Sequence, residues 1–386
     1  MKKVVLLSVV VGLLYSCSND EFMTQSDEIL SAESMNHRME LSEATDIAES
    51  YFNSGQTRSA SNLEVSYVVE TGKATKGASS GSDTLAYIFN NGVNDGFVLV
   101  ATDDRVFPLL AFSDEGHFAY DENDIVYNEF ISKLGDYYEQ NSSNDTYDYD
   151  IDEFLATCVL QDGILQNSWN QRNPFDKYVI QEHPGCPAGC VAVATGMIMT
   201  YCKDALTYHG ELFDNIQINE GLTEDKNSPE YITAADRAAK LLYYIGKDVN
   251  MNYSPDGSGA RSIAALSLLE KEEYNVLSSI LNTFDIIDAI DYMEDNCILY
   301  IEGRNTNGIS AHAWVVDGYA YCYEMREPGE FGTPDSPFHS EEIDEETAFV
   351  HCNWGWGGSY DGFFQGEVFK PYWGYDNMKY FPVKKD

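Results

Sequence analysis

Residues 189–199 of the chain read GCVAVATGMIM, and this stretch decides how the second half of the molecule is interpreted. The residues before it, HPGCPA at 183–188, have the composition of a loop. From Cys190 onward the run is apolar or small on every helical face, which is typical of a helix that is buried on all sides. The pattern therefore predicts a central, buried helix that begins at Cys190.

A cysteine at the first position of such a helix is a candidate nucleophile. The helix N-terminus carries unpaired N–H groups and the positive end of the dipole, and both stabilise a thiolate. The N–H of Cys190 is also placed to help bind an oxyanion. Position alone still favours a small core cysteine over a nucleophile. Cys186, four residues earlier, precedes Pro187 in the loop and is not expected to react.

A thiolate also requires a base, and two later segments supply one. AHAWVVDG at 311–318 predicts a strand with His312 near its start, and AFVHCN at 348–353 predicts a strand that ends at Asn353. If the two strands pair as antiparallel neighbours, His312 and Asn353 lie at the same end. An asparagine amide there can orient the imidazole, and the tryptophans that follow in NWGWGG can shield the hydrogen bond from water.

The remaining histidines and cysteines form no comparable pattern. His351 is expected to alternate away from the face that carries Asn353. No group of Cys and His residues has the spacing of a zinc site, so neither a metal nor a cofactor is predicted.

These segments together match a known family. GCVAVATGMIM, AHAWVVDG and HCNWGWGGSYDGFF resemble the streptopain family of papain-like cysteine peptidases. WNQRNPFD at 169–176 and VNMNYSPDGSGA at 249–260 extend the resemblance, and DGFVLVATDDRVFPLLAFSDEGHF at 95–118 is similar to the propeptide of that family.

The resemblance implies a set of roles. The nucleophile would be Cys190, the acid/base His312 and the oxyanion donor Gln171, with the histidine supported by Asn353 and Trp354. The substrate cleft would be bordered by Ser258, Gly259, Ala260 and Trp356. The implied fold is α+β: a papain-like peptidase domain, in which the catalytic helix packs on an antiparallel sheet, follows a small α+β pro-domain. Departures from the family include a long acidic segment, Glu324–Glu346, between the His312 and Asn353 strands.

The first half of the chain predicts a separate small unit. Its segments indicate a helix at 41–52 and strands at 63–70, 84–89, 96–101 and 106–112. The Gly/Ser-rich stretch at 72–83 indicates a flexible loop. The polar stretch QNSSNDTYDYDIDE at 140–153 is typical of an exposed linker. The predicted organisation is a signal peptide (1–16), a lipid-anchored tether (17–39), an inhibitory pro-domain (40–137), a linker with the processing region (138–153) and the peptidase domain (154–386).

The N-terminus predicts export. A basic start and a short apolar run from Val4 to Leu14 are typical of a signal peptide. LYSC at 14–17 resembles a bacterial lipobox, with Cys17 as the lipidated residue; a plain signal peptide is the alternative. The expected location is therefore the outer membrane or cell surface of a Gram-negative bacterium, held by a lipid anchor at Cys17, with release after processing left open.

Composition limits the partners. The 386 residues include 64 acidic and 23 basic side chains, a net charge of −41, which repels polyanions and argues against a nucleic-acid partner. The expected substrates are proteins or peptides, cleaved by a cysteine endopeptidase that is made as a zymogen. Two alternatives remain: a Cys-His amidase acting on cell-wall peptides, and a surface binding lipoprotein with a non-catalytic peptidase fold.

Overall fold

The computed structural model describes most of the chain after residue 36. The described residues are 37–54, 63–70, 73–76, 84–118, 134–135, 137–144, 146, 151–304, 311–323, 343–366 and 378–386. The predicted signal peptide and Cys17 lie outside these ranges. Residues Met39–Asp386 form one compact unit.

Helices and strands are mixed along the chain. The described helices are α1 (Leu41–Asn53), α2 (Ile151–Thr157), α3 (Val179–Glu182), α4 (Cys190–Cys202), α5 (Asn215–Leu222), α6 (Pro229–Asp248), α7 (Ser262–Lys271) and α8 (Ile286–Glu294). The described strands are β1 (Leu63–Glu70), β2 (Lys73–Lys76), β3 (Thr84–Asn91), β4 (Phe97–Ala101), β5 (Leu109–Ser113), β6 (Val159–Gln161), β7 (Ala205–Tyr208), β8 (Glu211–Asp214), β9 (Asn275–Val276), β10 (Asn282–Thr283), β11 (Cys297–Arg304), β12 (Ala311–Tyr323), β13 (Ile343–Asn353), β14 (Gly362–Gln365) and β15 (Lys379–Lys384).

One antiparallel sheet runs through both halves of the chain. Its order is β10-β15-β11-β12-β13-β14-β5-β4-β3-β1-β2, with β6 beside β12 and β9 beside β15. The two halves meet where β14 pairs with β5, with Phe363 opposite Phe112. Their rings stack there at a centroid distance of 4.9 Å. The predicted α+β class is confirmed, and the first half of the chain extends the sheet of the second.

The secondary structure predicted for the first half is largely confirmed. The helix and four strands are present, although the last strand begins at Leu109 rather than at Val106. Two expectations were wrong. Strand β2 lies inside the stretch expected to be a loop, because Lys73–Lys76 pair with the end of β1. Residues Ile151–Glu153, expected to be linker, form the first turn of α2.

Helix α4 is the buried helix that the sequence predicts. Every residue from Val191 to Thr200 is buried, and the helix packs with α6 and α7 against one face of β11 and β12. The opposite face of these strands packs against α8 and a group of tryptophans that includes Trp314 and Trp354. The two faces of β12 therefore belong to two different hydrophobic cores, and this division determines the geometry of the site.

No helix among the described residues is both long and apolar enough to span a membrane.

Candidate active site

Cys190 is the first residue of α4, at the end of the loop that the sequence predicts. Gly189 precedes it with a φ of 94°, a left-handed conformation that glycine adopts without strain. A Cβ at Gly189 would lie 2.7 Å from Met251 Sδ and 3.1 Å from the carbonyl oxygen of Ser258. The nucleophile candidate is therefore reached by a backbone that only glycine allows, tight against the segment around Ser258.

The thiol of Cys190 lies beside β12 and is only partly exposed. Burial raises its pKa, the backbone of Ala313 lowers it through a hydrogen bond, and the carboxylate of Glu302 raises it. Because burial is the largest of these effects, the uncharged thiol is favoured in this arrangement.

His312, the second residue of β12, lies on the other side of the strand. Its Nε2 is 3.0 Å from the carbonyl oxygen of Trp354, so the imidazole donates this hydrogen bond. Its ring stacks on Trp356 with a centroid distance of 4.7 Å. Burial lowers the pKa of His312 to about 4, against the opposing effect of the Trp354 carbonyl. The ring is therefore neutral at physiological pH.

The alternation of β12 explains why the thiol and the imidazole do not meet. Trp314 packs in the tryptophan core, whereas Ala313 and Val315 pack in the core of α4. His312 stacks with Trp314 and so shares its face, while Cys190 adjoins Ala313. Among the described residues, no hydrogen bond joins Cys190 to His312. The two candidate catalytic groups flank one short piece of strand, one on each face.

Asn353 is the last residue of β13 and pairs with Val315, so it lies three residues further along β12 than His312. Its Nδ2 donates to the carbonyl of Asn167 at 3.4 Å, and its Oδ1 accepts from the N–H of Gly355 at 3.2 Å. The two strands pair as the sequence predicts. The asparagine does not orient His312 here, since that ring is on the opposite face.

Gln171 is held close to the nucleophile by its backbone. Its carbonyl accepts a 2.8 Å hydrogen bond from the N–H of Ala188, two residues before Cys190, and its side chain is half-buried. The neighbouring Arg172 donates to the carbonyls of Gly185 at 2.7 Å and Pro255 at 3.1 Å. The segment with Gln171, the loop before Cys190 and the loop before Ser258 are thus joined.

The predicted substrate-binding residues fall into two groups. Ser258, Gly259 and Ala260 lie at the Asn252–Gly259 bridge and adjoin the loop before Cys190. Trp356 is on the face of His312, against which it stacks.

Two family models match the chain. Residues 169–364 match the model of the peptidase C10 family, and residues 32–140 match that of the Spi protease inhibitor family. The chain belongs to the peptidase C10 family. It is therefore a cysteine peptidase, a hydrolase, and the expected membership in the streptopain family is confirmed.

Named relatives of this C10 peptidase include two proteases. Streptopain of Streptococcus pyogenes is 26% identical over 344 residues, which cover 76% of each chain. The thiol protease/hemagglutinin PrtT of Porphyromonas gingivalis is 26% identical over 341 residues, covering 76% of this chain and 35% of that protein. A prointerpain A fragment of Prevotella intermedia superposes with a TM-score of 0.51 at 18% identity, covering 77% of this chain and 94% of that one, which supports the fold.

The sequence missed three acidic side chains of this C10 peptidase. Glu302 lies on the Cys190 side of the sheet, and an acid within the apolar strand CILYIEGR was the available signal. Asp361 accepts the N–H of Trp354 at 2.9 Å and so holds the turn on which the His312 contact depends. Burial raises the pKa of Asp361 to about 7. The third acidic side chain is Asp317, whose Oδ1 is 2.6 Å from His351 Nδ1.

The orientation predicted for His351 was wrong. His351 and Asn353 are two residues apart on β13, and side chains two apart lie on the same face of a strand. Within the described residues, no group of three His, Cys, Asp or Glu side chains is arranged to hold a metal ion.

Proposed function

We propose that this C10 peptidase is an endopeptidase that uses Cys190 as nucleophile and His312 as acid/base, and that the arrangement described is its latent precursor. The observation that carries the proposal is the position of Cys190, which opens a buried helix beside the start of the strand that bears His312. Residues 17–39 would tether the protein through lipidated Cys17 after removal of a signal peptide at 1–16.

Latency follows from the protonation of the two groups. A reactive pair requires a thiolate and an imidazolium in contact. Here burial raises the pKa of Cys190 and lowers that of His312, and both shifts favour the neutral forms. Activation would require the backbone at the start of β12 to rearrange, so that the His312 ring leaves the Trp354 carbonyl and reaches the Cys190 face. Asn353 already lies on that face, because it pairs with Val315.

The chemistry of the active form follows from this pair. The Cys190 thiolate attacks the peptide carbonyl carbon, and the oxyanion accepts hydrogen bonds from the Cys190 N–H and the Gln171 amide. The C–N bond breaks as His312 gives its proton to the leaving amine, leaving a thioester. A water molecule, deprotonated by His312, hydrolyses the thioester, and the thiol and carboxylate product are released. Asn353 and Trp354 would hold the histidine, with Ser258, Gly259, Ala260 and Trp356 lining the cleft.

The first half of the chain would act as an inhibitory pro-domain. Residues 40–137 lie within the match to the Spi inhibitor model, residues 32–140, and extend the peptidase sheet through β5 and β14. A cavity of about 530 Å3 lies at this junction, with Asp114 on one side and His351 and Asp361 on the other. Because Asp361 holds the Trp354 turn, the pro-domain adjoins the element that retains His312. Cleavage in the linker, 138–153, is the expected activating step.

The experiment follows cleavage of an unrelated denatured protein by purified chain, before and after a controlled cut between residues 140 and 167. Activity should appear only after the cut, and a thiol-reactive epoxide should abolish it by labelling Cys190. Cys190→Ala should eliminate cleavage, and Cys186→Ala, the matched control, should retain most of it. Full activity of the uncut chain would rule out latency, and activity of Cys190→Ala would rule out the nucleophile.

A further inference from the structure

An acidic side chain interrupts the apolar strand β11 beside the nucleophile. Residues Cys297–Ile301 are all buried and apolar, and Glu302 follows them with only 9% of its surface exposed. A carboxylate this deeply buried has a desolvation cost that its surroundings must offset. Its position beside Cys190 points to a role in binding.

The register of the sheet determines the side to which Glu302 projects. Glu302 pairs directly with Ala313 of β12, and directly paired residues on antiparallel strands share a face. Ala313 packs in the core of α4, and its backbone bonds the thiol of Cys190. Tyr300, two residues before Glu302, packs in the same core. The carboxylate is therefore on the Cys190 face, close enough for its charge to act on the thiol.

The cation that faces Glu302 binds it weakly. Arg304 Nε is 3.7 Å from Glu302 Oε1, and the Arg304 side chain is 51% exposed, against 11% for that of Glu302. An ion pair with one long, exposed member contributes little and is readily exchanged. Among the described residues, no other cation is within ion-pair distance of Glu302. A nearly buried carboxylate thus lacks a strong partner beside Cys190.

We propose that Glu302 is the specificity residue of a substrate subsite next to Cys190, and that it selects a lysine or arginine side chain. The proposal rests on the proposed role of Cys190. A substrate cation would give the carboxylate a partner shielded from water, where charge-assisted hydrogen bonds are strong. An extended peptide advances about 3.3 Å per residue, so the selected residue lies within about two positions of the scissile bond. The segment Ser258–Ala260 adjoins the loop before Cys190 and would supply another wall.

The test uses the activated protein and a peptide library randomised at two positions on each side of the scissile bond. Lysine and arginine should be enriched at one position. For a matched pair of peptides with arginine or leucine there, the ratio of kcat/KM should favour arginine and should fall about 10- to 100-fold in Glu302→Gln. The loss should appear mainly in KM. Raising the salt concentration should narrow the wild-type ratio, because salt screens the charge interaction.

Controls separate this proposal from the one on which it rests. Glu270→Gln removes an exposed acid of α7 and should keep the wild-type ratio. Glu302→Asp keeps the charge and should keep the preference for a basic residue. Absence of basic enrichment in the wild-type library, or a ratio that changes less than about threefold in Glu302→Gln, overturns the role of Glu302. If Cys190 is nonetheless labelled by the epoxide, the nucleophile assignment stands. Absence of basic enrichment in the library cleaved by the wild-type protein overturns the role of Glu302 even if a variant does not fold.

Discussion

The two histidines of the β12–β13 pair differ in exposure and in partner, since His312 is buried and His351 is half-buried. His312 Nε2 faces only a backbone carbonyl, that of Trp354, and burial lowers its pKa to about 4. His351 Nδ1 is 2.6 Å from the carboxylate of Asp317, which is fully buried, and its pKa is raised despite burial. The Asp317 carboxylate outweighs the effect of desolvation on His351, so the pKa values of the two histidines move in opposite directions.

This difference separates a structural histidine from one that is free to change role. Asp317 also accepts the N–H of Leu165 at 2.8 Å, so the His351–Asp317 pair joins β12 and β13 to the segment before the cleft. His312 has no ionic partner among the described residues, and its neutral ring is retained by one hydrogen bond and by stacking on Trp356. Displacing His312 from that position leaves no buried charge unpaired, whereas displacing His351 would leave Asp317 without its counter-ion.

The largest expected difference between the two histidines is in catalytic activity. His312→Ala in the activated protein should lower kcat/KM by at least about 10⁴-fold, because loss of the base disables the nucleophile. His351→Gln should lower activity far less, since the residue does not touch the reacting atoms. The measurement is peptide cleavage per folded molecule, with the folded fraction taken from circular dichroism. A comparable loss in the two variants would mean that His312 has no special role in the reaction.

Sequence reasoning located the strands of both histidines but not the faces on which their rings lie. The apolar run after Gly189 is enough to predict a buried helix beginning at Cys190, and alternation is enough for β12 and β13. Alternation puts His312 on the face opposite Ala313, but which face packs against α4 depends on the fold, and the contact of the ring with the Trp354 carbonyl depends on a turn that Asp361 closes. Such contacts arise from folding of distant segments, and a local pattern does not contain them.

The partner of His351 was missed for a related reason. Asp317 lies in AHAWVVDG at the register shift between Val316 and Gly318, one residue before Gly318, where its strand pairs with β13 again. A bulge of this kind changes the face on which a side chain lies. Period-two reasoning on β12 alone therefore cannot place Asp317 beside His351. The acidic Glu302, in contrast, was visible in the sequence as a charge in an apolar strand.

A smaller effect, in the free energy of unfolding, distinguishes the two histidines by the sign of their pH dependence. The pKa of His312 in the fold is below its ordinary value, so its contribution is complete above pH 6.5 and is lost as the pH falls to about 4. The shift from 6.5 to about 4 corresponds to about 3 kcal/mol. The pKa of His351 is raised, so its contribution is complete below pH 6.5 and is lost as the pH rises through the raised value.

The measurement is urea unfolding of the full chain between pH 4 and 9. Relative to wild type, His312→Gln should lose less stability between pH 6.5 and 4, by up to about 3 kcal/mol. The destabilisation caused by His351→Gln should be greatest in acid and should shrink above pH 6.5. Parallel pH profiles for the two variants would show that the two histidines do not differ in their protonation as described.

The smallest expected effect comes from the acidic segment Glu324–Glu346, which joins the far end of the same strand pair. Its first nineteen residues, 324–342, lie outside the described residues. Its last four, 343–346, belong to β13, whereas the sequence predicted a loop there. The pair Tyr323–Ile343 marks the end of the described ladder. His351 is eight residues from Ile343 and His312 is eleven from Tyr323, which at about 3.3 Å per residue separates the segment from both histidines by roughly 25–35 Å.

Replacing residues 324–342 with a short glycine-containing turn should therefore leave cleavage of a small fluorogenic peptide within about threefold of wild type, and the pH profile of unfolding should keep its shape. A large fall in turnover in a folded variant would mean that the segment reaches back to the cleft and that the environments of the two histidines are not set by β12 and β13 alone.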